Sequence, residues 1–198
     1  MRNLSLGLGL SPARSVLDKV ADLLALIDTA AGSSFHDFTT ATDTGTYVAD
    51  DQSANNLDFV RATSNKPGID AALGATFTGS QLIVRDVNST ALYTITMALR
   101  MTAPGVIVQS ATGTLYIQTN SGDGTALIGA AHYVDGVPVA TRDDLFTALN
   151  DGAEHIFEGH GLSLGNTTDL QFGRSAVGHS GSIRRAAVLN EATLGRRS

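Results

Sequence analysis

The densest cluster of residues able to do acid–base or metal chemistry is the run from His155 to His160, which also contains Glu158. On an extended strand alternate residues share a face, so Glu158 and His160 lie together and His155 lies on the opposite face. A metal site needs three or four converging ligands. The spacing therefore predicts structural roles for these residues and no metal centre.

The carboxylates do not form a pattern that serves catalysis. Asp143 and Asp144 fall in residues 142–150, which have the pattern of a short helix ending near Gly152. Glycoside hydrolysis needs two carboxylates at a fixed separation across the sugar bond, and no predicted strand carries such a pair. There is also no nucleophile elbow and no phosphate-binding glycine loop between a strand and a helix. We therefore expect a protein that is not an enzyme and has no catalytic, cofactor-binding or metal-binding residues.

The richest set of oxygen ligands lies in one polar stretch. Its members are Asp50, Asp51, Asn55, Asn56 and Asp58. Calcium prefers carboxylate and amide oxygens of this kind. A polar loop is the favoured interpretation, and calcium is the alternative.

Exposed aromatic side chains are the usual platforms for sugars, and this chain has few of them. Aromatic residues make up 6% of the sequence, and none is tryptophan. Tyr47, Tyr116 and Tyr133 are the candidates for glycan contact. Because tyrosine also fills the interiors of sandwiches, half-burial is the alternative for each of them.

The N-terminal region contains two apolar patterns that have no evident partner. Residues 4–10 alternate with period two, which places four leucines on one face of an extended arm: Leu4, Leu6, Leu8 and Leu10. The next pattern has helical spacing, with Gly32 as its C-cap: Val16, Val20, Leu23, Leu24 and Ile27. The arm is either an edge strand or a docking arm, and the helical stripe is either core packing or a self-association seam.

These patterns predict two parts of the chain. Residues 1–34 form an N-terminal arm and helix for attachment or oligomerisation, and residues 35–198 form a β-sandwich domain. Serine and glycine interrupt the leucines of the arm, and Pro12 follows them. We therefore expect a mature N-terminus rather than a signal peptide.

The charge and the cysteine content of the chain argue against several classes of binding partner and site. The net charge is −6, and charged residues are only 16% of the chain, against about 25% in typical domains. Nucleic-acid binding usually needs a basic stripe, so we expect none. The absence of cysteine excludes disulfides and thiolate sites. No segment has the roughly 20 apolar residues of a membrane span, so we expect no membrane insertion.

From Ser33 onward, short alternating runs are separated by Gly, Asn, Asp and Thr, which is typical of an all-β sandwich. The clearest strand is YTITMALRM, in which residues 93, 95, 97, 99 and 101 should face inward. Asp135-Gly136 predicts a tight hairpin. In the last strand Arg184 and Arg185 should point to opposite faces, with at least one exposed or paired with an acid.

Several segments from Phe77 onward resemble, in order, the concanavalin A-like jelly roll in its laminin-G-like form. These segments are ATFTGSQLIVRD, YTITMALRM, VIVQSATGTLYIQT, AHYVDGVPV, LNDGAEHIFEGHGLSL, DLQFGR and HSGSIRRAAVLNEATL. The chain departs from that family in two ways. Ala153-Glu154-His155 stands where the family has a Trp-His pair, and the AHYVDGVPV hairpin precedes that position instead of following it.

A short chain that begins MRNLSLGLGLS and continues into a small helix and a jelly roll also resembles small virion proteins of tailed phages and gene transfer agents. The resemblance implies a non-enzymatic structural protein on the exterior of a particle, as a decoration, spike or fibre subunit. Its partners would be other virion proteins, copies of itself and host surface polysaccharide. It would be made in the cytoplasm of a bacterial host. The alternative is a stand-alone carbohydrate-binding module, and a degenerate polysaccharide hydrolase is a weaker third.

Overall fold

The computed structural model describes residues 25, 27–88, 90–165, 167–174 and 178–194. These residues form a largely β structure that includes two short α-helices, α1 (Arg142–Leu149) and α2 (Glu191–Leu194), and one 3-10 turn (Phe38–Thr40). Ala25, Ile27 and Asp28 are also helical. The strands are β1 (Ser34–Asp37), β2 (Thr42–Asp43), β3 (Tyr47–Ala49), β4 (Phe59–Arg61), β5 (Gly68–Asp70), β6 (Gly74–Thr78), β7 (Leu82–Asp86), β8 (Leu92–Ala103), β9 (Val106–Ser110), β10 (Tyr116–Gln118), β11 (Ala131–Val134), β12 (Val137–Pro138), β13 (Glu154–Ser163), β14 (Asp169–Gly173) and β15 (Ser180–Asn190).

The strands form two antiparallel sheets in a sandwich-like arrangement, which confirms the mainly β prediction. Sheet A has the order β12-β11-β13-β8-β15-β6-β5, and β1 also pairs with β15. Sheet B has the order β10-β9-β14-β7-β4-β3-β2. Strands that are distant in sequence are neighbours, because β15 near the C-terminus lies between β8 and both β1 and β6.

The main core lies between the two sheets. The alternation in β8 is confirmed, since Tyr93, Ile95, Met97, Leu99 and Met101 all belong to this core. Sheet B contributes aromatic rings. The Phe59 and Phe172 rings stack with their centroids 4.5 Å apart.

Two further local predictions are confirmed. The Asp135-Gly136 turn joins β11 to β12, with φ of 51° and 78°, as a type I′ turn requires. Helix α1 begins after Thr141, whose hydroxyl accepts from the Asp144 amide while the Asp144 carboxylate accepts from the Thr141 amide. This reciprocal capping fixes the start of the helix.

The prediction for Arg184 and Arg185 is partly wrong. The pairing of β15 with β8 shifts register between Ile183 and Arg185, and such a bulge places two successive side chains on one side of a strand. Both arginines line the same cavity on the face of sheet A away from the core. Each is nevertheless paired with an acid, Arg184 with Glu154 and Arg185 with Asp37.

The boundary drawn between residues 34 and 35 falls within β1, because this strand begins at Ser34 and pairs with β15. Of the residues assigned to the arm and helix, Ile27 is described. The other eight, Leu4, Leu6, Leu8, Leu10, Val16, Val20, Leu23 and Leu24, lie outside the described residues.

Candidate functional site

Residues 27–33, here called the clamped segment, are bound to the sandwich by side chains from distant parts of the chain. The Asn55 side-chain amide donates to the carbonyls of Ile27 and Ser33, both at 3.0 Å, and lies 3.4 Å from that of Ala30. At the other side of the loop, the Ala54 amide donates to Asp28 at 2.8 Å. One short loop thus satisfies several backbone groups at the end of the predicted N-terminal helix.

Strands from both sheets complete this set of contacts. Arg85 of β7 donates from Nη2 to the Gly32 carbonyl at 2.7 Å. Asn190 of β15 donates from its side chain to the Ala31 carbonyl at 3.2 Å, and its amide donates to the Ser33 hydroxyl at 2.9 Å. Gly32 has a φ of 82° and thus the left-handed conformation typical of a helix C-cap. These contacts fix the position from which the preceding chain leaves the sandwich.

A buried positive charge faces the clamped segment. Arg85 is 1% exposed, and burial lowers its pKa to about 10. At neutral pH the guanidinium therefore remains charged and faces the partial negative charge of helix-terminal carbonyls. Burial also lowers the pKa of nearby His36 to about 4. His36 is consequently neutral and adds no second positive charge beside Arg85.

The oxygen-rich loop that suggested calcium has a structural role in this arrangement. The Asp51 carboxylate accepts from the amides of Phe35, Ser53 and Leu57 and from the Ser53 hydroxyl. Asp58 accepts from the Asp51 amide. Among the described residues no group of three or more His, Cys, Asp or Glu side chains is placed to hold a metal ion. The oxygens of Asp51 therefore shape the loop that presents Asn55.

Ile27 connects the clamped segment to the outer face of sheet A, meaning the face away from the main core. It is fully buried in a small apolar cluster with Phe35, Ala187 and Leu189. We call these four residues the outer cluster. Since Ile27 belongs to the predicted helical stripe, that stripe meets the sandwich at its C-terminal end.

A groove of about 200 Å³ adjoins the outer cluster. A row of directly paired residues crosses it on successive strands: Phe35, Ala187, Thr96, Glu158 and Tyr133. The groove floor consists of small side chains, including Ala98 and Ala187. Phe35 and Leu189 stand at one wall and Ile156 at the other. Arg185 pairs with Asp37 at 2.9 Å on the rim.

A polar patch borders the groove on the same outer face and shares Glu158 with the groove lining. The Glu158 carboxylate is 3.4 Å from His160 Nε2, which confirms that these two residues share a face. Thr94 Oγ1 lies 3.2 Å from His160 Nδ1 and donates to Glu191 at 2.9 Å. The Tyr133 ring meets the His160 ring edge-on, with centroids 5.7 Å apart. Tyr133 is half-buried, which matches the alternative expected for it from the sequence.

The other two tyrosines are in different environments. Tyr47 is fully buried in the main core, and burial raises the pKa of its hydroxyl. The prediction of a glycan contact at Tyr47 is therefore wrong in this conformation, since no part of the ring reaches the surface. Tyr116 lies at the edge of sheet B, with the guanidinium carbons of Arg142 and Arg174 at 5.6 and 5.3 Å from the ring centroid.

His155 holds two turns together at one end of sheet A. Its Nδ1 is 2.7 Å from Asp135 in the β11–β12 turn, and its Nε2 is 2.9 Å from Asp151 after α1. These bonds raise the pKa of His155. This position is separate from the patch around His160, as the alternation of β13 predicted.

Sequence reasoning singled out Ile27 and Tyr133 and placed Glu158 and His160 on one face with structural roles, but it missed Asn55, Arg85 and Asn190 as residues that hold the N-terminal segment. The chain matches no protein-family model, no curated protein and no solved structure. Within the described residues, no helix is long and apolar enough to cross a membrane.

Proposed function

We propose that this protein is a non-enzymatic structural subunit on the exterior of a tailed-phage-like particle, where it serves as a decoration, spike or fibre protein. In this proposal the β-sandwich is a concanavalin A-like jelly roll that faces outward. The N-terminal region binds other virion proteins or copies of the same chain. The particle context rests on the resemblance of the sequence to small virion proteins.

The observation that carries the attachment role is the clamped segment. An ordered junction fixes where an attachment arm leaves its domain and reduces the conformational entropy that is lost when the arm binds. Five carbonyl and hydroxyl groups of residues 27–33 accept hydrogen bonds from three different places in the fold. The donors belong to Asn55, Arg85 and Asn190. These contacts support the proposal because they give the N-terminal region a defined point of departure from the sandwich.

Light scattering after size exclusion tests the attachment role. The full chain is compared with a variant in which Leu4, Leu6, Leu8 and Leu10 are all replaced by serine. A matched control replaces Ser5 by aspartate on the opposite face of the arm. We expect an oligomer for the full chain and the control, and a monomer for the leucine variant. An unchanged mass in the leucine variant would contradict self-assembly through the arm.

The contacts of the clamped segment determine which truncated chain is a suitable test of the arm. A chain that starts at Ser34 would lose Ile27 and leave the outer cluster and Arg85 without their partners. A chain that starts at Pro12 removes the arm and keeps every described contact. This variant should be a monomer with unchanged thermal stability.

The polar patch supports a second candidate function, carbohydrate binding. Tyr133 is half-buried on the outer face of sheet A, beside Glu158 and His160. An aromatic ring next to hydrogen-bonding groups is a common way to bind a sugar. A glycan array with the full chain and with Tyr133→Ala tests this role, and Tyr47→Phe serves as a buried control. Binding that survives Tyr133→Ala would exclude this patch.

A further inference from the structure

We infer that the groove on the outer face of sheet A is the seat of this chain's own predicted N-terminal helix, with Val20, Leu23 and Leu24 against its floor. The inference refines the proposed function, because its consequence for the arm rests on the proposed attachment role. If the helix is bound within its own chain, only the arm of residues 1–11 is left to bind other virion proteins.

The first argument is the orientation that Ile27 gives to the residues before it. Ala25, Ile27 and Asp28 are helical, and Ile27 is fully buried, whereas Ala25 and Asp28 are exposed. In a helix, residues three, four and seven positions before Ile27 lie on its face. These positions are Leu24, Leu23 and Val20. The face that begins with buried Ile27 thus continues as an apolar stripe.

The second argument is continuity between the outer cluster and the groove. Phe35, Ala187 and Leu189 contact Ile27 in the outer cluster, and the same three residues line the groove. The chain before Ile27 therefore starts at the wall of an apolar groove. A helix that continues from Ile27 toward the N-terminus would turn its apolar stripe toward the same sheet.

The third argument is the size of the groove. Phe35 on β1 and Ile156 on β13 are separated by three strand spacings, or about 14 Å, and a helix with its side chains is about 10–12 Å wide. Along β15, the lining from Leu189 to Arg185 extends about 14 Å. The distance from Val16 to Ile27 along a helix is about 16 Å. The small side chains of Ala98 and Ala187 allow a helix to approach the sheet closely.

Cross-linking within the full chain tests this inference, because the protein has no native cysteine. The test variant carries Leu24→Cys and Ile156→Cys and is treated with a short bismaleimide. The matched control carries Asp22→Cys and Ile156→Cys, because position 22 lies on the opposite side of the predicted helix. Labelling with a monofunctional maleimide confirms that all thiols react, and thermal unfolding confirms that both variants are folded.

We expect the test variant to cross-link mainly within monomers, with a yield several-fold above that of the control. Cross-linked dimers would overturn the inference in favour of a second copy as the occupant. Equal yields in the two variants, or no cross-link in either, would show that the stripe does not face the groove. None of these outcomes depends on the arm, so the light-scattering test of the proposed function can fail or succeed independently.

Discussion

The main core and the outer cluster lie on opposite sides of sheet A and differ in what they hold together. The main core joins two sheets and contains aromatic rings from both, such as Tyr93 of β8 and Phe172 of β14. The outer cluster has four members and joins the clamped segment to a single sheet. Loss of the first should unfold the domain, whereas loss of the second should release the N-terminal region from a sandwich that stays folded.

The comparison shows how one sheet can serve both stability and attachment. Along β15, Ala186 and Val188 face the main core, while Ala187 and Leu189 face the outer cluster. Period-two alternation thus gives one strand two apolar faces. A strand of this kind is apolar without interruption, which is why AAVL alone does not reveal that its two faces have different roles.

The largest expected effect is that of Phe172→Ala. Phe172 is fully buried, and its ring stacks on Phe59, so its removal should lower the free energy of unfolding by about 3–5 kcal/mol. Urea unfolding followed by circular dichroism measures this change. The matched control is Phe35→Ala in the outer cluster, for which we expect a clearly smaller loss. Equal losses would show that the two clusters form one cooperative unit.

The next effect is that of Ile27→Ala, which removes the central side chain of the outer cluster. We expect a loss of about 2 kcal/mol, at the low end of the range for buried aliphatic side chains, because only one sheet packs against it. The loss should be local. The amides of Ala30 and Ser33, which donate within the clamped segment at 2.9 Å, should exchange with solvent faster, while those of β8 keep their protection. Hydrogen exchange measures both sets together.

A global loss of protection in Ile27→Ala would show that the outer cluster and the main core unfold together. In that case the clamped segment would be part of the folding core, and residues 27–33 would belong to the sandwich domain thermodynamically as well as by contact.

Much of the fold was predictable because its signals are local. The alternation of β8, the Asp135-Gly136 turn and the short helix α1 each depend on residues within one strand, turn or helix. The clamped segment depends instead on pairs that are far apart in sequence. Asn55 and Ile27 are separated by 28 positions, Arg85 and Gly32 by 53, and Asn190 and Ala31 by 159.

The candidate site was predictable only where a single strand carries it. Glu158 and His160 share a face by alternation, and their proximity is confirmed. The bulge that brings Arg184 and Arg185 to the same groove has no clear sequence signal, since any residue pair in β15 fits the alternating pattern. Tyr47 was a reasonable surface candidate by residue type, and its burial is a consequence of how β3 packs in sheet B.

A smaller effect is expected for Asn55→Ala, which removes the donors to Ile27 and Ser33. Carbonyls left without partners in a part-buried site cost about 1–3 kcal/mol. Hydrogen exchange should again increase at Ala30 and Ser33, and urea unfolding gives the magnitude. Gln52→Ala in the same loop is the control, because Gln52 is exposed and its side chain donates to the nearby Asp50 carbonyl. Equal effects of the two substitutions would mean that the loop, and not Asn55, holds the segment.

The smallest expected effect is the pH dependence that comes from His155, which lies far from both clusters. Hydrogen bonds to Asp135 and Asp151 raise its pKa above the ordinary 6.5. The charged form is therefore favoured by folding. Its contribution to stability is fully present below pH 6.5 and is lost as the pH rises through the higher pKa of the folded state. Unfolding free energies at pH 6.5 and pH 9 should differ less in His155→Gln than in the unmodified chain.

The chosen pH window separates His155 from the histidine beside the clamped segment. His36 has a lowered pKa, about 4, so its contribution has the opposite sign and is lost only as the pH falls from 6.5 toward 4. Above pH 6.5 the folded chain keeps His36 neutral and the unfolded chain loses its remaining charge by about pH 7.5, so the slope from His36 is small there and is the same in the unmodified chain and in His155→Gln. If His155→Gln leaves the slope above pH 6.5 unchanged, the contacts of His155 with the two aspartates do not persist in solution. If the slope disappears in His155→Gln, the charge on His155 holds the turn at Asp135.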